Sequence, residues 1–315
     1  MHKYQNVLIM IMFFSCNNSE KAKTFKKNSD DSFLAKVEAN NLAEKLFTSY
    51  TSDLKVKRFD ENNNKVIRIN NLELKYEIEF FGDKPVNGWE LYFSLHGGGG
   101  VADEYNENLW SRHKSLYELE QGILLTPRSP TNTWNMWHQD HIDLFFNKLI
   151  QNMIAFYYVD PNKIYLMGYS AGGDGVYQLA PRMADRFAAA SMMAGHPNDA
   201  SPLGLRNIGF TIHMGENDSL YNRNKVALEW KEKLSILRKS DSEGYIHQVK
   251  IYDGKGHQIS HAKVKGSVKP QIDGLDSSGI SWISNFTRNP YPKNVVWMQD
   301  DVMHKRFYWL KVNKP

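Results

Sequence analysis

Gly168-Tyr169-Ser170-Ala171-Gly172-Gly173 reads G-x-S-x-G and lies where the residue pattern changes. Lys163-Ile164-Tyr165-Leu166-Met167 before it is apolar and β-prone, and a helix-compatible stretch follows through Val176 and Leu179. A strand that turns sharply into a helix lifts a serine hydroxyl clear of the backbone. Glycines two before and two after the serine let the chain make that turn without Cβ clashes. Taken alone, the six residues also fit a glycine-rich turn, so the neighbourhood decides.

Working outward, strands and helices alternate. Leu74 to Phe81 and Trp89 to Leu95 read as strands, with Gly82-Asp83-Lys84-Pro85 turning between them. Gly122 to Thr126 is a short apolar strand and Ile142 to Tyr158 a helix. Ala188 to Ala194 and Phe210 to Met214 are strands, Asn224 to Leu237 a helix, and His247 to Tyr252 a last strand. Asp60-Glu61-Asn62-Asn63-Asn64 reads as a turn. Strand-then-helix repetition predicts an α/β fold, a mostly parallel sheet covered by helices on both faces.

A serine hydroxyl is a weak nucleophile at neutral pH. It needs a base for its proton and donors for the oxyanion that forms. His96-Gly97-Gly98-Gly99-Gly100 follows the strand ending at Leu95 and supplies backbone N–H groups free of side chains, with Gly97 and Gly98 the candidate donors. The rival reading, a phosphate cradle, wants Lys-Ser or Lys-Thr after the glycines, and Val101-Ala102-Asp103 stands there. The N–H of Ala171 is the second expected donor. Gly215-Glu216-Asn217-Asp218 follows the strand ending at Met214, which puts a carboxylate on the rim where open α/β sheets bind ligands. Asp218 is the candidate acid, with Glu216 and Asp199 as rivals. Asp253-Gly254-Lys255-Gly256-His257 follows the last strand and makes His257 the candidate base, with His261 as rival.

These four segments, in the order glycine run, serine, acid, histidine, resemble the α/β-hydrolase superfamily. Within it the chain is similar to secreted esterases of the polyhydroxybutyrate-depolymerase and feruloyl-esterase type, where Asp-Pro before the nucleophile strand (Asp160-Pro161) and GYSAGG are usual. The resemblance covers Trp89 to His257. It implies the α/β-hydrolase fold and carboxylic ester hydrolysis through an acyl-enzyme on Ser170, with no metal and no organic cofactor. A small-molecule or polysaccharide-linked ester is then the expected substrate. A serine peptidase of the same fold would carry the same triad. A tethered, catalytically silent carbohydrate-binding protein would keep the fold without the chemistry.

Pocket specificity is expected in Pro127 to His138, a polar, Pro-containing loop with two tryptophans, Trp134 and Trp137. Either ring suits stacking on an aromatic acyl group or a sugar, or packing against the loop's own base. Arg223 suits carboxylate recognition or a surface ion pair. The tail Trp297 to Leu310 is aromatic-rich and reads as an added strand or a pocket wall.

The chain has 315 residues, 41% apolar and 13% aromatic, enough for one large core. A net charge of +4 from 39 basic and 35 acidic residues comes without a basic stripe, so no nucleic-acid partner is expected. Cys16 is the only cysteine, which excludes an intramolecular disulfide. It follows an apolar run, Val7 to Phe14, far shorter than the roughly 20 residues that span a bilayer. Residues 1–16 therefore resemble a bacterial lipoprotein signal with Cys16 as the lipidated residue, although Phe13 stands where leucine is usual. The expected outcome is an exported protein that meets the membrane only through a lipid anchor, facing the periplasm or cell surface. Residues 17–31 read as a flexible tether, and 32–315 as a single domain opening with a helix from Ser32 to Tyr50.

Overall fold

The computed structural model describes residues 36–259, 279–299 and 301–313. Cys16, the segments 1–16 and 17–31, the first residues of the N-terminal helix and His261 lie outside the described residues. The chain packs as two units, residues 1–47 and 48–315. Within the first, described residues belong to helix α1 (Lys36–Lys57), which runs on past Tyr50 into the second unit. No helix among the described residues is long and apolar enough to cross a membrane.

The second unit is built on an eight-stranded sheet in the order β1-β2-β4-β3-β5-β6-β7-β8. Its strands are β1 (Val66–Ile69), β2 (Leu72–Phe81), β3 (Trp89–Leu95), β4 (Gly122–Pro127), β5 (Val159–Tyr169), β6 (Ala189–Met193), β7 (Gly209–Gly215) and β8 (His247–Tyr252). The β1–β2 and β2–β4 pairs are antiparallel, and every later pair is parallel. Alternating side chains of the strands feed two cores, one on each face. Leu91, Phe93, Leu95, Leu166 and Ile212 pack with α4 (Asp140–Tyr157), α5 (Ala171–Arg182) and α6 (Arg223–Ser240). Tyr92, Leu124, Tyr165 and Met167 pack with Tyr117 and with Ile283 of α7 (Gly279–Ile283). This is the α/β arrangement expected, a mostly parallel sheet with a helical layer on each face.

Two local expectations change. Asp60 to Asn64, read as a turn, lies in helix α2 (Phe59–Asn64). Asp60 and Glu61 in its first turn suit the helix dipole, Asn62 is buried, and Lys65 closes the helix in a left-handed conformation. The aromatic tail forms a two-stranded hairpin, Arg306–Phe307 with Leu310–Lys311. Phe307 is buried and stacks on Trp297 at 5.6 Å. Tyr308 donates its hydroxyl to Ala184 O, and His304 Nε2 meets Asp143 Oδ2 at 2.7 Å. Asp143 in turn accepts a two-pronged bond from buried Arg182, the last residue of α5.

Candidate active site

Ser170 stands between β5 and α5 with φ 58° and ψ −123°, a conformation that L residues avoid. Its amide donates to Met193 O at the end of β6, and Asp174 N donates to its carbonyl, so both sides of the residue are fixed. The strained turn aims the hydroxyl off the carboxyl end of the sheet. His257 reaches it from the loop after β8, with Nε2 2.9 Å from Ser170 Oγ. On the other side of the ring, Nδ1 is 2.7 Å from Asp218 Oδ2. A carboxylate can only accept, so Nδ1 carries the proton and Nε2 is left to accept from the serine.

The acid and histidine loops are stitched together. Asn217 N donates to Lys255 O, Glu216 N to Tyr252 O, and Gly254 N to Glu216 Oε2. Glu216, one rival acid, thus braces the histidine loop, while Asp199, the other, accepts from Gln178 Nε2 at 2.8 Å. Asp218 is buried, its amide donates to Gly215 O, and its carbonyl accepts from Asn224 N. Tyr169, beside the serine, donates its hydroxyl to His257 O at 2.6 Å and accepts from Ile259 N at 3.0 Å.

The glycine run lies against the serine. A Cβ built on Gly97 would come 3.1 Å from Ser170 Cβ and 3.7 Å from Ser170 Oγ. Ala171 is the first residue of α5, so its N–H has no partner within the helix. Gly98 has φ +112°, and a Cβ there would strike Asn106 Oδ1 at 2.0 Å. Buried Asn106, on α3 (Asp103–His113), accepts from Gly99 N and donates to Gly99 O and Val101 O. It fixes the loop that carries Gly97 and Gly98. Asn106→Ala removes all three bonds and strands Gly99 N–H in a buried place. The expected cost is about 2 to 4 kcal/mol of stability together with a fall in kcat, read by urea unfolding and ester turnover.

His96 holds the same loop from beneath. Its Nε2 accepts from Ser129 N, so its proton is on Nδ1, which donates to Gly97 O at 2.7 Å. Burial lowers its pKa to about 3, which keeps the ring neutral. Trp137 donates from Nε1 to His96 O and is fully buried. Of the two readings of Trp137, pocket lining and packing against the base of its own loop, the geometry supports packing: the indole lies under the glycine loop and does not line the substrate pocket. Trp134 instead is 64% exposed, its ring 5.3 Å from His138 and its backbone against Gly99. Arg223 also differs from expectation. It is neither at the surface nor open to a ligand carboxylate, since its guanidinium is buried with Nη1 3.8 Å from Asp218 Oδ1. There it faces the carboxylate oxygen that His257 does not use.

Asp174, one helical turn after Ser170, escaped the sequence reading. It accepts from His196 N at 2.6 Å, and burial raises its pKa to about 6 against the lowering effect of that bond, Arg223 and His257. Burial also lowers His113 and His213 to about 3. For these two and His96 the folded pKa lies below the unfolded value near 6.5, so the unfolded chain binds more protons and stability falls as pH drops below 6.5. Asp174 has the opposite sign, its penalty easing as pH falls through 6. His138, lowered by burial to about 4, adds to the histidine side, and the net expectation is a loss of roughly 4 kcal/mol between pH 7 and 5.5. Urea midpoints at the two pH values measure it, and an unchanged midpoint contradicts the neutral-imidazole assignment.

Among the described residues no group of three His, Cys, Asp or Glu side chains is placed to hold a metal ion. Residues 121–271, a little under half of the chain, match the model of the Dienelactone hydrolase family. No curated protein sequence matches the chain. Among solved structures, the native form of sOPH is 10% identical with a TM-score of 0.51, covering 74% of this chain and 90% of that one. A thermostable esterase is 19% identical with a TM-score of 0.49, over 71% of this chain and 62% of that one, so the chain spans less than two thirds of its length. The fluorophosphonate-binding serine hydrolase FphF of Staphylococcus aureus is 14% identical with a TM-score of 0.46, over 70% and 96%.

Proposed function

From the premise that this chain has the α/β-hydrolase fold, we propose that it hydrolyses carboxylic esters through an acyl-enzyme on Ser170. One observation carries the reading: a single imidazole bridges a strained, outward-facing serine and a buried carboxylate, at 2.9 and 2.7 Å. His257 Nε2 takes the Ser170 proton as Oγ attacks the ester carbonyl. Asp218 holds the Nδ1–H tautomer and offsets the imidazolium charge that forms. The N–H of Ala171 and that of Gly97 or Gly98 hold the oxyanion. His257 then protonates the leaving alkoxide, and a water molecule, deprotonated by the same nitrogen, cleaves the acyl-enzyme.

The substrate class is a small or polysaccharide-linked ester, with exposed Trp134 beside the glycine loop available to the group flanking the scissile bond. We further propose export and anchoring through lipidated Cys16. A panel of p-nitrophenyl esters beside matched amides tests the activity, and a fluorophosphonate probe tests the nucleophile. Turnover of esters and labelling at Ser170 are expected. Faster turnover of the amides would turn the reading to a peptidase, and an unlabelled folded protein would remove the acyl-enzyme.

A further inference from the structure

A cleft of about 480 Å³ opens at the other end of the sheet, near Trp89 and Tyr158. These residues flank the start of β3 and β5, and β5 runs from Val159 to Tyr169 before it reaches Ser170. Counted along β3, whose Trp89 pairs with Val159 and whose Leu95 pairs with Gly168, at about 3.3 Å per residue the cleft is roughly 20 to 25 Å from the serine, so a ring bound there is itself out of reach of Ser170. Trp89 is buried at its floor. Phe80 meets that indole edge-on at 5.5 Å, and Tyr157 lies 5.8 Å from Phe80. Lys65 bonds the Tyr157 hydroxyl from behind. Lys55 and Lys84 also line the cleft, with Lys84 Nζ 5.5 Å from the Tyr158 ring centre, and no carboxylate is among the described residues lining it.

Phe80 and Tyr158 keep 46% and 54% of their surface in water. Half-exposed aromatic faces beside two ammonium groups suit a ligand with an apolar face, a polar edge and a negative charge. A hydroxylated ring keeps its edge solvated in such an open cleft, whereas a bare aryl acid gains most from closed apolar walls.

We infer that this cleft is a second, non-catalytic binding site for a carboxylate-bearing sugar ring, as in a uronate unit of an acidic polysaccharide. The ring stacks against Phe80 and Tyr158 and its carboxylate pairs with Lys55 and Lys84. The inference stands apart from the ester chemistry and survives if that chemistry is wrong.

Calorimetric titration of the full chain with trigalacturonate, maltotriose and benzoate at low ionic strength tests it. Trigalacturonate is expected to bind saturably and more weakly as salt is raised. Lys55→Gln with Lys84→Gln, both exposed and so harmless to folding, weakens it about fivefold or more. Phe80→Ala weakens it comparably. Maltotriose and benzoate bind more weakly than trigalacturonate by a similar factor, and all variants hydrolyse p-nitrophenyl acetate at the parent rate. Absence of saturable trigalacturonate binding, equal binding by the double variant, or benzoate binding as tightly as the sugar acid overturns it.

Discussion

Ser170→Ala is expected to lower kcat for p-nitrophenyl acetate by about 10⁴- to 10⁶-fold, some 5 to 8 kcal/mol of transition-state stabilisation, with KM and the unfolding midpoint nearly unchanged. The size follows from the order of the chemistry. On the proposed mechanism, without Oγ His257 has no proton to take and Asp218 has no imidazolium to offset, so the three groups fail together. The amides of Ala171 and the glycine loop, the proposed oxyanion donors, remain, and they are expected to account for the residual rate over water. The fold is spared for a separate reason. Alanine faces the same penalty at φ 58° as serine, and the backbone bonds to Met193 O and from Asp174 N do not involve the hydroxyl. Steady-state kinetics and urea unfolding on the same preparation separate the two effects. A variant that keeps more than about one hundredth of the parent rate would leave Ser170 without a nucleophilic role.

The sequence made the sheet and its active rim legible because each candidate group follows a strand by a few residues. His96 follows β3, Ser170 β5, Asp218 β7 and His257 β8. Parallel strands end on one side of a sheet, so strand order alone gathers these groups at one rim. What stayed hidden depends on three-dimensional packing. Helix α3 carries few apolar residues, and its inward face includes Asn106 and His113 beside Trp110. A periodicity search scores such a face as solvent-exposed although it braces the glycine loop. In the same way, a tryptophan in a polar loop can line a cleft or fill a gap. Trp137 fills a gap because its N–H meets His96 O, a partner 41 residues away in the chain. Arg223 and Asp174 are charged residues on helices, ordinarily surface positions, and only tertiary packing beside Asp218 and His257 buries Arg223 and partly covers Asp174. One signal was available for Asp174: it stands in the first turn of the helix that Ser170 opens, within reach of the turn that carries the serine.

Gly172→Ala is expected to abolish stable folding, with a cost of at least about 4 kcal/mol, although alanine is a better helix former than glycine. Propensity alone predicts the reverse sign, about 1 kcal/mol of gain. The space around the residue decides. A Cβ at position 172 would lie 2.0 Å from Leu95 O, 2.6 Å from Leu95 C and 3.0 Å from His96 O. All three are backbone atoms, and Leu95 pairs with Gly168 in the sheet, so no side chain can swing aside. The nearest relief is to move α5 away from β3. Helix and strand are already in backbone contact at this point, since a Cβ on Gly168 would lie 2.1 Å from Gly172 O. Any such shift carries Ser170 and the Ala171 amide away from Gly97, so folded protein that did survive would lose turnover as well. Gly256→Ala is the control: it has no positive φ and nothing within 4 Å of its Cβ position, so its unfolding midpoint stays within about 0.5 kcal/mol of the parent. Soluble yield and urea unfolding of the two variants side by side provide the measurement. A Gly172→Ala protein that unfolds at the parent midpoint would show that the glycines of the motif are there for the turn alone. The close approach of helix to strand, which the distances make the reason for Gly168 and Gly172, would then have no energetic weight.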